Sequence, residues 1–189
     1  MGREIAILAI GDSLFTGYGL DEGQSYPAML EAALRAKGIN ARIANAGVSG
    51  DTSGGGLDRL DFTLENQEAA PALAIISLGG NDMLRSLKPD QTRANLDAML
   101  ARLKKRGIPV VLLGMLAAPN LGEDFGKDFN AIYPALAKKH GATLVPFFLQ
   151  PLMDRPDLVQ DDKIHPTKAG IEAMVAATVG AVEGALPQE

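Results

Sequence analysis

Cysteine and tryptophan are absent from this chain of 189 residues, histidine occurs only twice, and aromatic residues make up 5%. Without cysteine there can be no disulfide, no thiol nucleophile and no thiolate metal site, so any chemistry must rest on oxygen and nitrogen side chains. No apolar run approaches the roughly 18 to 20 residues that cross a bilayer, so the sequence contains no candidate membrane span. An excess of positive charge is also missing: 18 Lys and Arg stand against 23 Asp and Glu, a formal net charge of −5. Nucleic acid is therefore not an expected partner, because phosphate neutralisation needs clustered cations. The N-terminus lacks the basic region, long apolar region and small-residue cleavage site of a leader. A cytoplasmic protein and a periplasmic or secreted one whose leader has been removed both fit.

What is present is a core. With 47% hydrophobic and 22% charged residues, the composition is that of a globular protein, and no linker, repeat or composition shift divides residues 1–189 into more than one expected domain. Short apolar runs recur at Ile5–Ile10, Ala41–Ala44, Leu73–Leu78, Ile108–Leu113 and Thr143–Phe147. Their length and β-branched content predict five strands buried on both faces. Between and after them, Met29/Leu30/Ala33/Leu34, Leu96/Met99/Leu100/Leu103, Phe129/Ile132/Tyr133/Leu136 and Ile171/Met174/Val175/Val182 keep helical spacing. Three helices end alike, at Arg35-Ala36-Lys37-Gly38, Lys104-Lys105-Arg106-Gly107 and Lys138-Lys139-His140-Gly141. The cations complement the negative end of the helix dipole, and the glycine accepts the left-handed turn that stops the helix. Alternating strands and helices predict parallel strands with right-handed crossovers, a three-layer α/β/α sandwich.

In such sheets ligands gather beyond the carboxyl ends of the strands. Ser13, in Gly11-Asp12-Ser13-Leu14, leaves the first predicted strand and is a candidate nucleophile. Gly50 follows the second strand and Asn81, in Gly79-Gly80-Asn81-Asp82, the third; Asp162 and His165 lie in the loop before the last helix. A serine needs a base, a group to orient that base and donors for the oxyanion. His165, three residues after Asp162, can serve as the base while the carboxylate engages its other ring nitrogen. The N–H groups of Ser13 and Gly50 and the Asn81 amide are candidate oxyanion donors. Asp12 is expected to tie down the loop, and His140 to be an exposed helix-end cation.

Competing readings fit less well. A G-x-S-x-G nucleophile elbow would need a second glycine that Gly11-Asp12-Ser13-Leu14-Phe15 lacks. Asp12, Asp51, Asp82, Asp161, Asp162 and His165 offer one imidazole, too few for the usual transition-metal site, so no metal or other cofactor is expected. Ser53-Gly54-Gly55-Gly56-Leu57-Asp58 lacks the Gly-Lys-Ser/Thr ending of a phosphate loop and is read as a flexible or closely packed loop beside the site. Met115 to Phe125, with Met115, Leu116 and Pro119, is read as the cover of an acyl chain.

These blocks resemble the GDSL, or SGNH, hydrolases, and the similarity runs in order from about Ile7 to Gly170. Ile132-Tyr133-Pro134 and Val145-Pro146-Phe147-Phe148 resemble the bacterial thioesterases, lysophospholipases and arylesterases of that family. The resemblance implies a flavodoxin-like sheet, a Ser13, Asp162, His165 triad, and an oxyanion hole from Ser13, Gly50 and Asn81. It implies a small-molecule ester or thioester as substrate; separately, a monomer is the favoured expectation for oligomeric state. Carbohydrate deacetylation and a silent ligand-binding module are the alternatives on the same fold. The Gly54-Gly55-Gly56 run and the loop after Gly114 depart from the family pattern.

Overall fold

The structure is a computed structural model that describes residues 2–187. Five parallel strands, β1 (Ile5–Gly11), β2 (Ala41–Gly47), β3 (Leu73–Ser77), β4 (Val110–Leu113) and β5 (Thr143–Val145), form one sheet in the order β2-β1-β3-β4-β5. This is the flavodoxin-like doubly wound order, with its switch point beside β1. Helices α1 (Ser13–Thr16) and α2 (Tyr26–Ala36) follow β1, and α3 (Ser53–Asp58) and α4 (Leu60–Glu65) follow β2. Next come α5 (Gly80–Leu84) and α6 (Pro89–Lys105) after β3, α7 (Glu123–Asn130) and α8 (Ile132–His140) after β4, and α9 (Lys168–Ala185) after β5. Helix α2 packs on α9, while α6 packs on both α3 and α8, giving the two outer layers.

The central strands read as expected because they are covered twice: every residue of β3 is buried, as is β1 from Ile7 onward. Beneath one layer, Phe15 stacks on Tyr26 at 5.4 Å between ring centroids, and Phe148 meets both edge-on. Side chains of this size, fully buried, each contribute about 1.5–3 kcal/mol of transfer free energy. Under the other layer, Leu96, Met99, Leu100 and Leu103 form the buried stripe of α6.

Three expectations are corrected. β2 and β5 are not buried on both faces; they are the sheet's edges, and most of their residues remain partly or fully exposed. The glycine run is not a loop but α3, capped by Thr52, whose hydroxyl accepts from Gly55 N–H at 3.2 Å. Glycine is needed there for close approach, since a Cβ on Gly56 would meet Leu78 Cδ1 at 2.3 Å. His140 does end α8 but is not a free cation: its side chain is 9% exposed and its Nε2 lies 2.5 Å from Asp97 Oδ1.

The sheet register positions the site. Gly11 pairs with Gly47 of β2 and Ser77 of β3, so the first three strands end level with one another. The loops leaving them carry Ser13, Gly50 and Asn81 to one edge.

Candidate active site

Asp12 is the pivot of the first loop. Its Oδ1 accepts Leu14 N–H at 2.9 Å, capping α1 and fixing Ser13 as the helix's first residue. Burial pushes the Asp12 carboxyl up to about 6, against the lowering effect of the Leu14 hydrogen bond and the nearby His165. Ser13 Oγ lies 2.8 Å from His165 Nε2, bridging 152 positions of sequence.

The imidazole is held from behind. His165 Nδ1 lies 2.5 Å from Asp162 Oδ2, and Asp162 Oδ1 accepts the N–H groups of Ile164 at 2.9 Å and His165 at 3.0 Å. Facing a carboxylate, Nδ1 carries the ring proton, which leaves Nε2 to accept from the serine hydroxyl. The ring hydrogen bond, followed by the two backbone N–H groups, pulls the Asp162 carboxyl down to about 2. A bridge between Val159 and Pro166, with Gln160 N–H donating to His165 carbonyl at 2.7 Å, closes the loop at its base. Inside it, Lys163 takes the left-handed conformation, φ 63°, that a non-glycine residue holds at a cost of about 1 kcal/mol.

Opposite this pair stand the candidate donors. Gly50 has φ 81°, where a side chain would be strained, and among the described residues neither its N–H nor that of Ser13 has an intramolecular acceptor. The Asn81 amide donates to Asp51 carbonyl at 2.9 Å and lies 3.4 Å from Asp12 Oδ2. Asp51 in turn pairs with Arg59 Nε at 2.7 Å, and the same guanidinium donates to Gly11 carbonyl at 3.1 Å. The Gly50 loop is thereby tied to the end of β1. Arg85 clamps it from outside, donating to Gly50 carbonyl at 2.6 Å. Asp82 is fully buried and accepts from Ser53 N–H at 2.7 Å, Ser53 Oγ at 2.5 Å and Thr92 Oγ1 at 2.9 Å, which joins α5 to α3 and α6. Asp12, Asp51 and Asp82 are thus each engaged in holding the loops together.

A cavity of about 460 Å³ opens over Ser13, Gly50, Asn81 and His165. Its walls are apolar, from Leu14, Met83, Leu84, Met115, Leu149 and Ile164, with Tyr18 at the mouth. Of the residues read as covering an acyl chain, Met115 lines this cavity; Leu116 is exposed and Pro119, four residues past Met115, begins a 3-10 turn, and neither is among the lining residues. Met83 and Leu84, two and three residues past Asn81, line it as well, and only their proximity to the asparagine block could have pointed to them.

Residues 9–173 match the GDSL-like lipase/acylhydrolase family. Among curated proteins, the chain is similar to esterase TesA of Pseudomonas aeruginosa, 40% identical over 163 residues, 86% of this chain and 80% of that protein. It is also similar to thioesterase 1/protease 1/lysophospholipase L1 of Escherichia coli K12, 36% identical over 162 residues, 86% of this chain and 76% of that one. Among solved structures, AlinE4, an SGNH-hydrolase family esterase, is 57% identical, with a TM-score of 0.84 and all of both chains covered. The family match across most of the chain, the flavodoxin-like strand order and the Ser13–His165–Asp162 hydrogen-bonded series agree: this chain belongs to the GDSL-like lipase/acylhydrolase family.

Proposed function

We propose that the protein is a serine esterase acting on small or medium acyl esters or thioesters. The observation that carries this reading is the 2.8 Å contact of Ser13 Oγ with an imidazole whose other nitrogen is held by Asp162. His165 takes the hydroxyl proton as Ser13 attacks the carbonyl, and Asp162 stabilises the resulting imidazolium. The leaving group takes that proton from Nε2, and the acyl-enzyme is hydrolysed by a water that His165 deprotonates. The N–H groups of Ser13 and Gly50 and the Asn81 amide receive the oxyanion; the first two are supported by having no other acceptor among the described residues, the third by its position at the cavity wall.

The apolar walls favour an acyl chain over a sugar, which would need hydroxyl partners, so ester or thioester hydrolysis is preferred to carbohydrate deacetylation. Related proteins bear the names esterase, arylesterase and thioesterase, in keeping with that choice. No helix among the described residues is long and apolar enough to cross a membrane; the names of the relatives support a small-molecule acyl substrate.

Incubation with a fluorophosphonate should add the phosphonyl mass at Ser13, and Ser13→Ala should abolish both the adduct and p-nitrophenyl ester hydrolysis. An unlabelled wild-type protein would instead identify a ligand-binding module without hydrolytic chemistry.

A further inference from the structure

Tyr18 is a large aromatic residue left 54% exposed at the mouth of the cavity. Its ring lies 4.3 Å from the His165 ring between centroids, tilted by 33°. The contact is built from the backbone. Gln160 Nε2 donates to the Tyr18 carbonyl at 2.8 Å and to the Pro166 carbonyl at 2.9 Å, while Gln160 N–H donates to the His165 carbonyl. One glutamine therefore joins the segment after α1 to the loop that carries the histidine, and this junction sets the tyrosine over the imidazole.

We infer that Tyr18 is a positioning residue acting through His165: its π face covers one side of the imidazole and favours the imidazolium formed when Ser13 gives up its proton. The inference rests on the hydrolytic reading above. A cation within about 6 Å of an aromatic centroid is attracted by the ring quadrupole, and the neutral imidazole of the resting state gains less, so the contact strengthens as charge develops. The ring also limits rotation of the imidazole out of the plane shared by Asp162 and Ser13. Other charged and titratable groups around this imidazole are Asp162 and Lys163 on its own loop and Asp12 in the turn after β1; the substitutions below leave all three in place.

The test compares Tyr18→Ala, Tyr18→Leu and Tyr18→Phe on a short p-nitrophenyl ester, with full pH profiles. Loss of the ring should lower kcat about two- to fivefold, the worth of an exposed cation–π contact, with KM for the short ester little changed. It should also move the acid limb of kcat/KM to lower pH, because an imidazolium without its stabiliser gives up its proton more readily. Tyr18→Phe should restore both the rate and the limb; Tyr18→Leu, which keeps apolar bulk at the mouth, should restore neither. Leucine matching wild type, or phenylalanine behaving like alanine, would overturn the assignment. So would an acid limb that stays fixed in all three variants. Fluorophosphonate labelling of Ser13 in the same preparations separates the two claims: labelled protein with no dependence on Tyr18 defeats only this inference, and unlabelled wild type defeats the hydrolytic reading itself.

Discussion

The molecule contains two histidines, and each is held by a carboxylate at 2.5 Å. His165–Asp162 lies at the carboxyl end of the sheet, with Ser13 on its free nitrogen and a cavity in front. His140–Asp97 lies at the end of α8, where Lys139 shares the same carboxylate at 2.8 Å and α8 is fastened to α6. There the hydrogen bonds from Lys139 and His140 hold the Asp97 carboxyl below the usual range, a structural use of the same two residue types. A histidine–carboxylate pair is therefore not in itself a site. What distinguishes the first is the acceptor nitrogen left pointing at a hydroxyl, with the N–H groups of Ser13 and Gly50, which have no acceptor among the described residues, across the gap.

The widest test of that contrast replaces each histidine in turn. His165→Ala should lower kcat by about 10³-fold or more, whereas His140→Ala should leave kcat within about twofold and cost about 1 kcal/mol of stability, the usual worth of one hydrogen bond. Comparable activity losses in the two variants would erase the distinction. A narrower test removes a donor rather than the base: Asn81→Ala should lower kcat by about 10²-fold with little change in KM, and a loss confined to KM would move Asn81 from the oxyanion to ground-state binding.

A test that reads stability rather than turnover concerns Asp12, which is buried like neither histidine partner. A folded-state carboxyl raised from 3.8 to about 6 binds more protons than the unfolded chain over that interval, so its ionisation costs stability as pH rises through it. Relative to wild type, Asp12→Asn should therefore gain stability between about pH 4 and pH 7, by at most about 3 kcal/mol, the linkage equivalent of that rise. Thermal melts across that range provide the measurement; a difference independent of pH would mean that Asp12 titrates alike in the folded and unfolded chains.

The strands and long helices were legible because burial on two faces or one stripe leaves a period in the sequence, as in β3 and α6. The edge strands misled for the same reason in reverse: Ile43 and Ala44 look like core, but among the described residues no strand pairs with the outer edge of β2, so Ile43 is only partly buried and Ala44 is exposed. Helices of four to six residues, such as α1, α3 and α5, are too short to show a period. The glycines of α3 look like a breaker until Thr52 and Asp82 are seen to hold that turn. That Ser13, Gly50, Asn81, Asp162 and His165 would come together was readable because their residue types carry chemistry and the loops that hold them leave one end of the sheet. The cavity walls were not, since Met83 and Leu149 acquire a shared surface only when α5 and the segment after β5 come together.

Asp162 and His165 sit on one short excursion closed at its base by the Val159–Pro166 bridge, so their mutual alignment is settled by neighbours in the chain. The reach to Ser13, by contrast, spans 152 positions. Half of the proposed relay is thus set by neighbours in the chain, and the other half exists only once the segment before α9 docks beside the loop after β1, a non-local closure whose entropy the rest of the fold must offset.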